Sequence, residues 1–179
     1  MKLLTLASLL ALLPLASSSV TQPADPTPQH KWLGQLVGEW HTEVVDPSVG
    51  PEAPETKIQI TDNVHAVGEY WIVSESKTSF SSGASHFMMT IGYDPEAKEF
   101  IGSWIDANTS HMWTLTGSLD EERQMLTLHG EGPGVDGKPA RFRDDIQLDS
   151  PNQKTHRSFL LGKDGKWDPI GEVTYLRKE

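Results

Sequence analysis

Between Trp104 and Trp113 the sequence reads WIDANTSHMW, two tryptophans enclosing an aspartate, an asparagine, a threonine, a serine and a histidine. An aspartate facing a histidine can orient the imidazole as a general base or a ligand, here beneath an aromatic wall. Whether the two face each other depends on hairpin register. A four-residue loop, 107–110, sets Asp106 opposite His111 and Trp104 opposite Trp113, with all four side chains on one face. A loop one residue longer pairs Trp104 with Met112 and turns His111 and Trp113 the other way. The alternative involves no chemistry: Asp106 and Asn108 hydrogen-bond the turn's own backbone and the tryptophans fill core. Asn108-Thr109-Ser110 is also a glycosylation sequon, relevant only in a eukaryotic host.

Three histidines, His86, His111 and His129, fall on neighbouring strand-like segments and can converge in a closed sheet, a set that would suit zinc. No pair has the i, i+4 helical or i, i+2 strand spacing of a strong metal site, so no metal and no cofactor is expected. His41, His65 and His156 read as exposed strand residues. In ARFRDDIQL, 140–148, Arg141, Arg143, Asp145 and Gln147 alternate with Ala140, Phe142, Asp144, Ile146 and Leu148. One face is charged and the other largely apolar, and the pattern leaves open which turns inward. Outward, the charged face is a solvated, salt-bridged surface worth little stability. Phe87, Met88, Met89, Phe100, Met112, Met125 and Trp71 suit an adaptable apolar interior, which a packed core requires equally. The sequence carries no nucleophile elbow, no phosphate-binding glycine loop and no closely spaced carboxylate pair of the glycosidase kind.

The elements that must position these residues follow from pattern. The chain has 179 residues, enough for one domain. Lys2, an apolar run over 3–15 and Ala16-Ser17-Ser18-Ser19 describe a secretory signal peptide over 1–18. The run is shorter than the roughly 20 residues that span a bilayer, so no membrane insertion is expected after cleavage. An exported protein, periplasmic or secreted, is the expectation. There is no cysteine, which excludes disulfides, thiol catalysis and cysteine-ligated metal. Fifteen Lys and Arg against 25 Asp and Glu leave a net charge of −10, which repels nucleic acid and anionic membrane. The composition leaves the oligomeric state open.

Residues 19–29 are rich in proline and polar side chains and read as an extended leader. Over 30–37 (HKWLGQLV), Trp32, Leu33, Leu36 and Val37 form one apolar stripe, predicting a helix that Gly38 ends. Ten strand-like segments follow, at 39–45, 56–64, 68–76, 86–93, 100–106, 111–118, 125–130, 140–148, 156–161 and 170–177. Asp94-Pro95 suits a type I turn, and Asp136-Gly137 and Asp164-Gly165 are hairpin dipeptides. About ten antiparallel strands joined by hairpins over 30–179, with no helical pattern between them, predict an all-β, single up-and-down β-barrel.

The helix runs into Gly38-Glu39-Trp40 at the first strand, and this G-x-W resembles the opening of the calycins, the superfamily of lipocalins and fatty-acid-binding proteins. The resemblance implies that Trp40 closes one end of the barrel, with Arg177 of the last strand (VTYLRK) across its ring. The segments HKWLGQLVGEW, IGYDP (91–95), GSWIDA (102–107), LTLHGEG (126–132) and TYLRK (174–178) are similar to a family of exported bacterial proteins of unknown function. Calycin likeness also implies that an inward Arg143, with Asp145, would hold a ligand carboxylate, as in fatty-acid-binding proteins. One of the three histidines would ligate haem iron if the barrel were nitrobindin-like. The expectation is a lipocalin-like binding protein for a small apolar or amphipathic molecule, lined by Trp71, His86, Met88, Trp104, Trp113 and Arg143. The alternative is an isomerase, lyase or hydrolase acting through Asp106 and His111.

Overall fold

The structure is a computed structural model that describes residues 25–46, 48–49, 54–134 and 136–179. The expected signal peptide and the first part of the leader lie outside the described residues. A helix, α1 (Pro28–Gly34), precedes ten strands: β1 (Gly38–Val45), β2 (Lys57–Val67), β3 (Trp71–Phe80), β4 (Gly83–Asp94), β5 (Glu99–Asp106), β6 (Trp113–Asp120), β7 (Met125–Pro133), β8 (Pro139–Ser150), β9 (Gln153–Leu161) and β10 (Trp167–Arg177). Each strand pairs antiparallel with its sequence neighbours, and β1 pairs with β10 to close the barrel. The fold is the expected all-β, up-and-down barrel with one short helix before the first strand.

Alternation decides which side chains enter the barrel. In β2, Ile58, Ile60, Asp62 and Val64 are buried, while Lys57, Gln59, Thr61 and Asn63 between them are exposed. The same parity buries Ile72 in β3, Met89 and Ile91 in β4, Leu115 in β6, Leu126 and Leu128 in β7, and Ile146 and Leu148 in β8. Each such side chain contributes about 1.5–3 kcal/mol by leaving water. The closing seam is short, with Trp40 opposite Arg177 and His41 opposite Leu176.

The helix begins two residues before the apolar stripe predicts. Thr27 and His30 form a capping box, and Pro28 occupies the first turn, where its missing N–H is no loss. It also stops earlier, at Gly34. Leu36 N–H then bonds Leu33 O (3.0 Å) and Val37 N–H bonds Gly34 O (3.3 Å), tighter turns that carry Leu36 into the barrel end. Gly68 is in a turn, not in β3 as the pattern suggests, because its φ of +64° is a left-handed conformation that favours glycine.

Candidate functional site

The helix end of the barrel is shut by Trp40. Its ring is buried, its Nε1–H donates to Leu36 O (2.8 Å), and the Arg177 guanidinium lies 4.0 Å from the ring centroid on the outer side. Arg177 also donates to Val37 O (2.5 Å), Gln35 O (2.8 Å) and Pro151 O (2.8 Å), tying the strap between α1 and β1 and the β8–β9 turn to the last strand. On the inner side of the same ring, 4.8 Å from its centroid, sits the ammonium of Lys154.

Lys154 belongs to a polar cluster inside the barrel. Its Nζ donates to Asp62 Oδ2 at 2.5 Å, and Asp62 Oδ1 accepts from Ser74 Oγ at 2.6 Å. Both charged side chains are only 6% exposed. Burial pushes the Asp62 carboxyl up, but the Lys154 charge and hydrogen bond, with Ser74 and Ser76, outweigh it and hold the group below its ordinary range. Burial likewise raises the Tyr175 phenol beside them. The space these groups share with Val64, Ile72, Phe87, Met89, Ile146 and His156 is a cavity of about 30 Å³, room for about one water molecule. This space runs from the helix end, at Leu36 and Lys154, to Phe87 and His156 at mid-barrel, and side chains fill the rest of the helix half.

The other half differs. Inward-facing Phe87, Trp104, Phe142, Asp144, His156, Ser158 and Leu160 are half-buried, where Met89, Ile91, Leu126, Leu128 and Ile146 nearer the helix are buried, so solvent reaches this half further. His156 Nε2 and Asp144 Oδ1 are 3.0 Å apart, and Ser158 Oγ donates to the same oxygen at 2.5 Å. Burial raises the Asp144 carboxyl, but His156 and Ser158 more than offset this and keep it below the usual carboxylate range. Both bonds fall on Oδ1. With its Nε2 committed to Asp144, the imidazole presents Nδ1 as its remaining functional nitrogen.

Beside this group stands an aromatic wall. Phe87 and Trp104 ring centroids are 6.1 Å apart, Trp104 and Trp113 meet edge to face at 4.7 Å, and Trp113 meets Phe142 at 6.3 Å. The wall crosses β7 because Gly130 and Gly132 occupy its inward positions there. A β-carbon on Gly132 would lie 2.1 Å from Trp113 Nε1. The pairing of Trp104 with Trp113 is the register of the first alternative, but the ladder ends there and residues 107–112 connect β5 to β6. Asp106 nevertheless caps the turn, its Oδ1 accepting from Asn108 N at 2.5 Å, and no hydrogen bond joins it to His111 among the described residues. His111 packs on Trp113 at 4.6 Å with its Nε2 buried and unpartnered.

A family model described as "Protein of unknown function (DUF1579)" matches residues 25–177. The chain belongs to the DUF1579 family. No curated protein matches it.

In this DUF1579 barrel the other residues singled out by sequence lie outside the interior. Trp71 pairs with Gly92 and faces outward, because Ile72 beside it faces in. His86 is outward on β4 and bonds Glu75 (2.8 Å), and Met88 is outward between Phe87 and Met89. Arg143 is outward too: its guanidinium lies over Phe159 (3.9 Å from the centroid) and contacts Asp145 (3.2 Å), so it cannot hold a ligand inside. His129 stacks on Trp167 on the same outer face, and the three candidate histidines do not converge. Among the described residues no group of three His, Asp or Glu could hold a metal ion. The inward polar residues that sequence reasoning missed include Asp62, Ser74, Ser76, Asp144, Lys154, His156 and Ser158. Their one signal is parity: Lys154, His156 and Ser158 alternate on one face of β9, like the apolar positions elsewhere.

Proposed function

We propose that this DUF1579 protein is an exported, lipocalin-like binding protein that takes one small apolar or amphipathic molecule into the open half of its barrel. The observation that carries the reading is the inner surface of that half, where partly exposed aromatic rings stand beside convergent polar groups of Asp144, His156 and Ser158. Apolar walls with a few placed polar groups are the usual composition of small-molecule sites. The filled helix half acts as the floor, so the ligand's polar end meets His156 and Ser158 while its apolar part covers Phe87, Trp104 and Phe142. Export follows from the signal-peptide pattern over 1–18 and accords with the net charge of −10, which disfavours nucleic-acid partners.

Native mass spectrometry of protein purified from its own host tests this. The expected result is a non-covalent adduct that is released on denaturation and weakened in Trp104→Leu. Finding only the bare polypeptide mass, with no apolar fluorescent probe displaced from the barrel, would refute it. The mature N-terminus read in the same experiment is expected just after residue 18.

A further inference from the structure

The structure assigns a charge class to the ligand of that mouth: we propose that it is a small organic ammonium, seated on the Phe87–Trp104–Trp113–Phe142 wall with its N–H directed at Asp144. The inference rests on the mouth-binding reading above and adds the headgroup to it.

Three observations converge. First, the described inward face of the open half carries no guanidinium. Arg141 and Arg143 stand on the outer face of β8, Arg157 bonds Glu172 and Gln147 outside, and Arg177 is committed to carbonyls at the helix end. The interior ammonium, Lys154, already has its counter-ion in Asp62. The imidazole on this face, His156, is already engaged with Asp144 at 3.0 Å, so an anionic headgroup entering the mouth would meet a carboxylate with no uncommitted cation beside it, at a cost in both desolvation and repulsion.

Second, Asp144 keeps an acceptor in reserve. His156 and Ser158 both address Oδ1, and Oδ2 has no hydrogen bond among the described residues. Oδ2 is not among the buried unpartnered atoms, so solvent reaches it, and an alkylammonium can replace that water with a charge-assisted hydrogen bond. Third, the half-buried rings of Phe87, Trp104 and Phe142 line the same inward face, backed by buried Trp113, with Phe142 two positions along β8 from Asp144. Aromatic surface next to an anion is the composition that recognises organic cations, because the ring quadrupole attracts positive charge. The overall charge of −10 draws such ligands toward the protein.

A hexyl series separates the headgroup from the tail: hexylammonium, hexanol and hexanoate share one apolar chain and differ in charge. Their affinities for the full protein are measured by calorimetry and tryptophan fluorescence at pH 7. Hexylammonium is expected to bind at least about tenfold more tightly than either other compound. Asp144→Asn, which keeps the acceptor for His156 and Ser158 but places an amide N–H₂ at the free position, should erase that preference. Trp104→Leu should weaken the cation with Asp144 intact. If hexanol or hexanoate binds as well as the amine, the charge assignment is overturned while the mouth remains a binding site. If hexylammonium binds equally well to both variants, it sits elsewhere and the proposal fails. If no member of the series binds, both readings fall together.

Discussion

Removing one partner of the Lys154–Asp62 pair is the most demanding test of how this barrel is built. The two charges sit 2.5 Å apart with side chains 6% exposed, beneath the Trp40 ring. At an effective dielectric of about 20, their attraction is about 6–7 kcal/mol. Taking both ions out of water costs several kcal/mol each, so the intact pair adds little net stability. A lone survivor is different. Asp62→Leu leaves Lys154 buried with no carboxylate, and Lys154→Met leaves Asp62 with Ser74 as its nearest hydroxyl. Each single variant is expected to lose about 3–5 kcal/mol. For a chain of this length that lowers Tm by roughly 10 °C, at about 2–4 °C per kcal/mol. The double variant, in which Leu and Met face each other, should regain most of the loss. Urea unfolding of all four proteins closes the cycle. Single variants within about 1 kcal/mol of the parent, or a double variant whose loss is the sum of the two, would show that the two charges are not coupled.

Other tests follow from the same geometry. Arg177→Ala removes the contact to the Trp40 ring and three hydrogen bonds to carbonyls, and should cost about 2–3 kcal/mol in urea unfolding. Arg177→Lys should recover only part, because an ammonium lacks the fork that reaches Val37 and Gln35 together. Gly132→Ala forces a methyl against Trp113 Nε1 and His111 Nε2, and is expected to cost about 1–3 kcal/mol and to shift tryptophan emission. Asp62 and Asp144 both have folded-state pKa values below their ordinary ones. Their stabilisation is therefore present above about pH 4 and is lost as pH falls through the lower folded values. Asp144→Asn should flatten that acid limb in a series of urea midpoints taken from pH 7 down to pH 3.

The strands were legible in the sequence because their cause is local. Period-two alternation and turn residues such as Asp94-Pro95 act within a few positions. In the fold Asp94 Oδ1 accepts from Glu96 and Ala97 N–H, and Asp120 Oδ1 accepts from Glu122 and Arg123 N–H. The same local logic placed the helix before β1, and the hairpin at 107–110 as one of two registers. Trp40 and Arg177 were legible only through the resemblance of Gly38-Glu39-Trp40 to the opening of the calycins, and the fold places the Arg177 guanidinium over the Trp40 ring.

The candidate site was legible only in fragments. Trp104 and Trp113 were found, and they share the inner wall. Asp106 and His111 also drew attention, yet one caps its own turn and the other packs on an indole. Asp144 sat in plain view among the apolar positions of β8, and His156 read as an exposed strand residue.

Periodicity and turn chemistry along the chain were enough for an all-β barrel of ten strands joined by hairpins, and the resemblance to calycins added the pair that closes it. Only the tertiary structure decided which of two alternating faces looks inward. In β8 both faces carry charge, and in β9 the inward face sets Lys154, His156 and Ser158 with Leu160 while the outward face sets Thr155 and Arg157 with Phe159. Hydrophobicity, the local signal for facing, is silent there. What turns those side chains inward is their pairing: Lys154 opposite Leu148 and Tyr175, and His156 opposite Ile146 and Val173, whose burial sets the register of the whole wall.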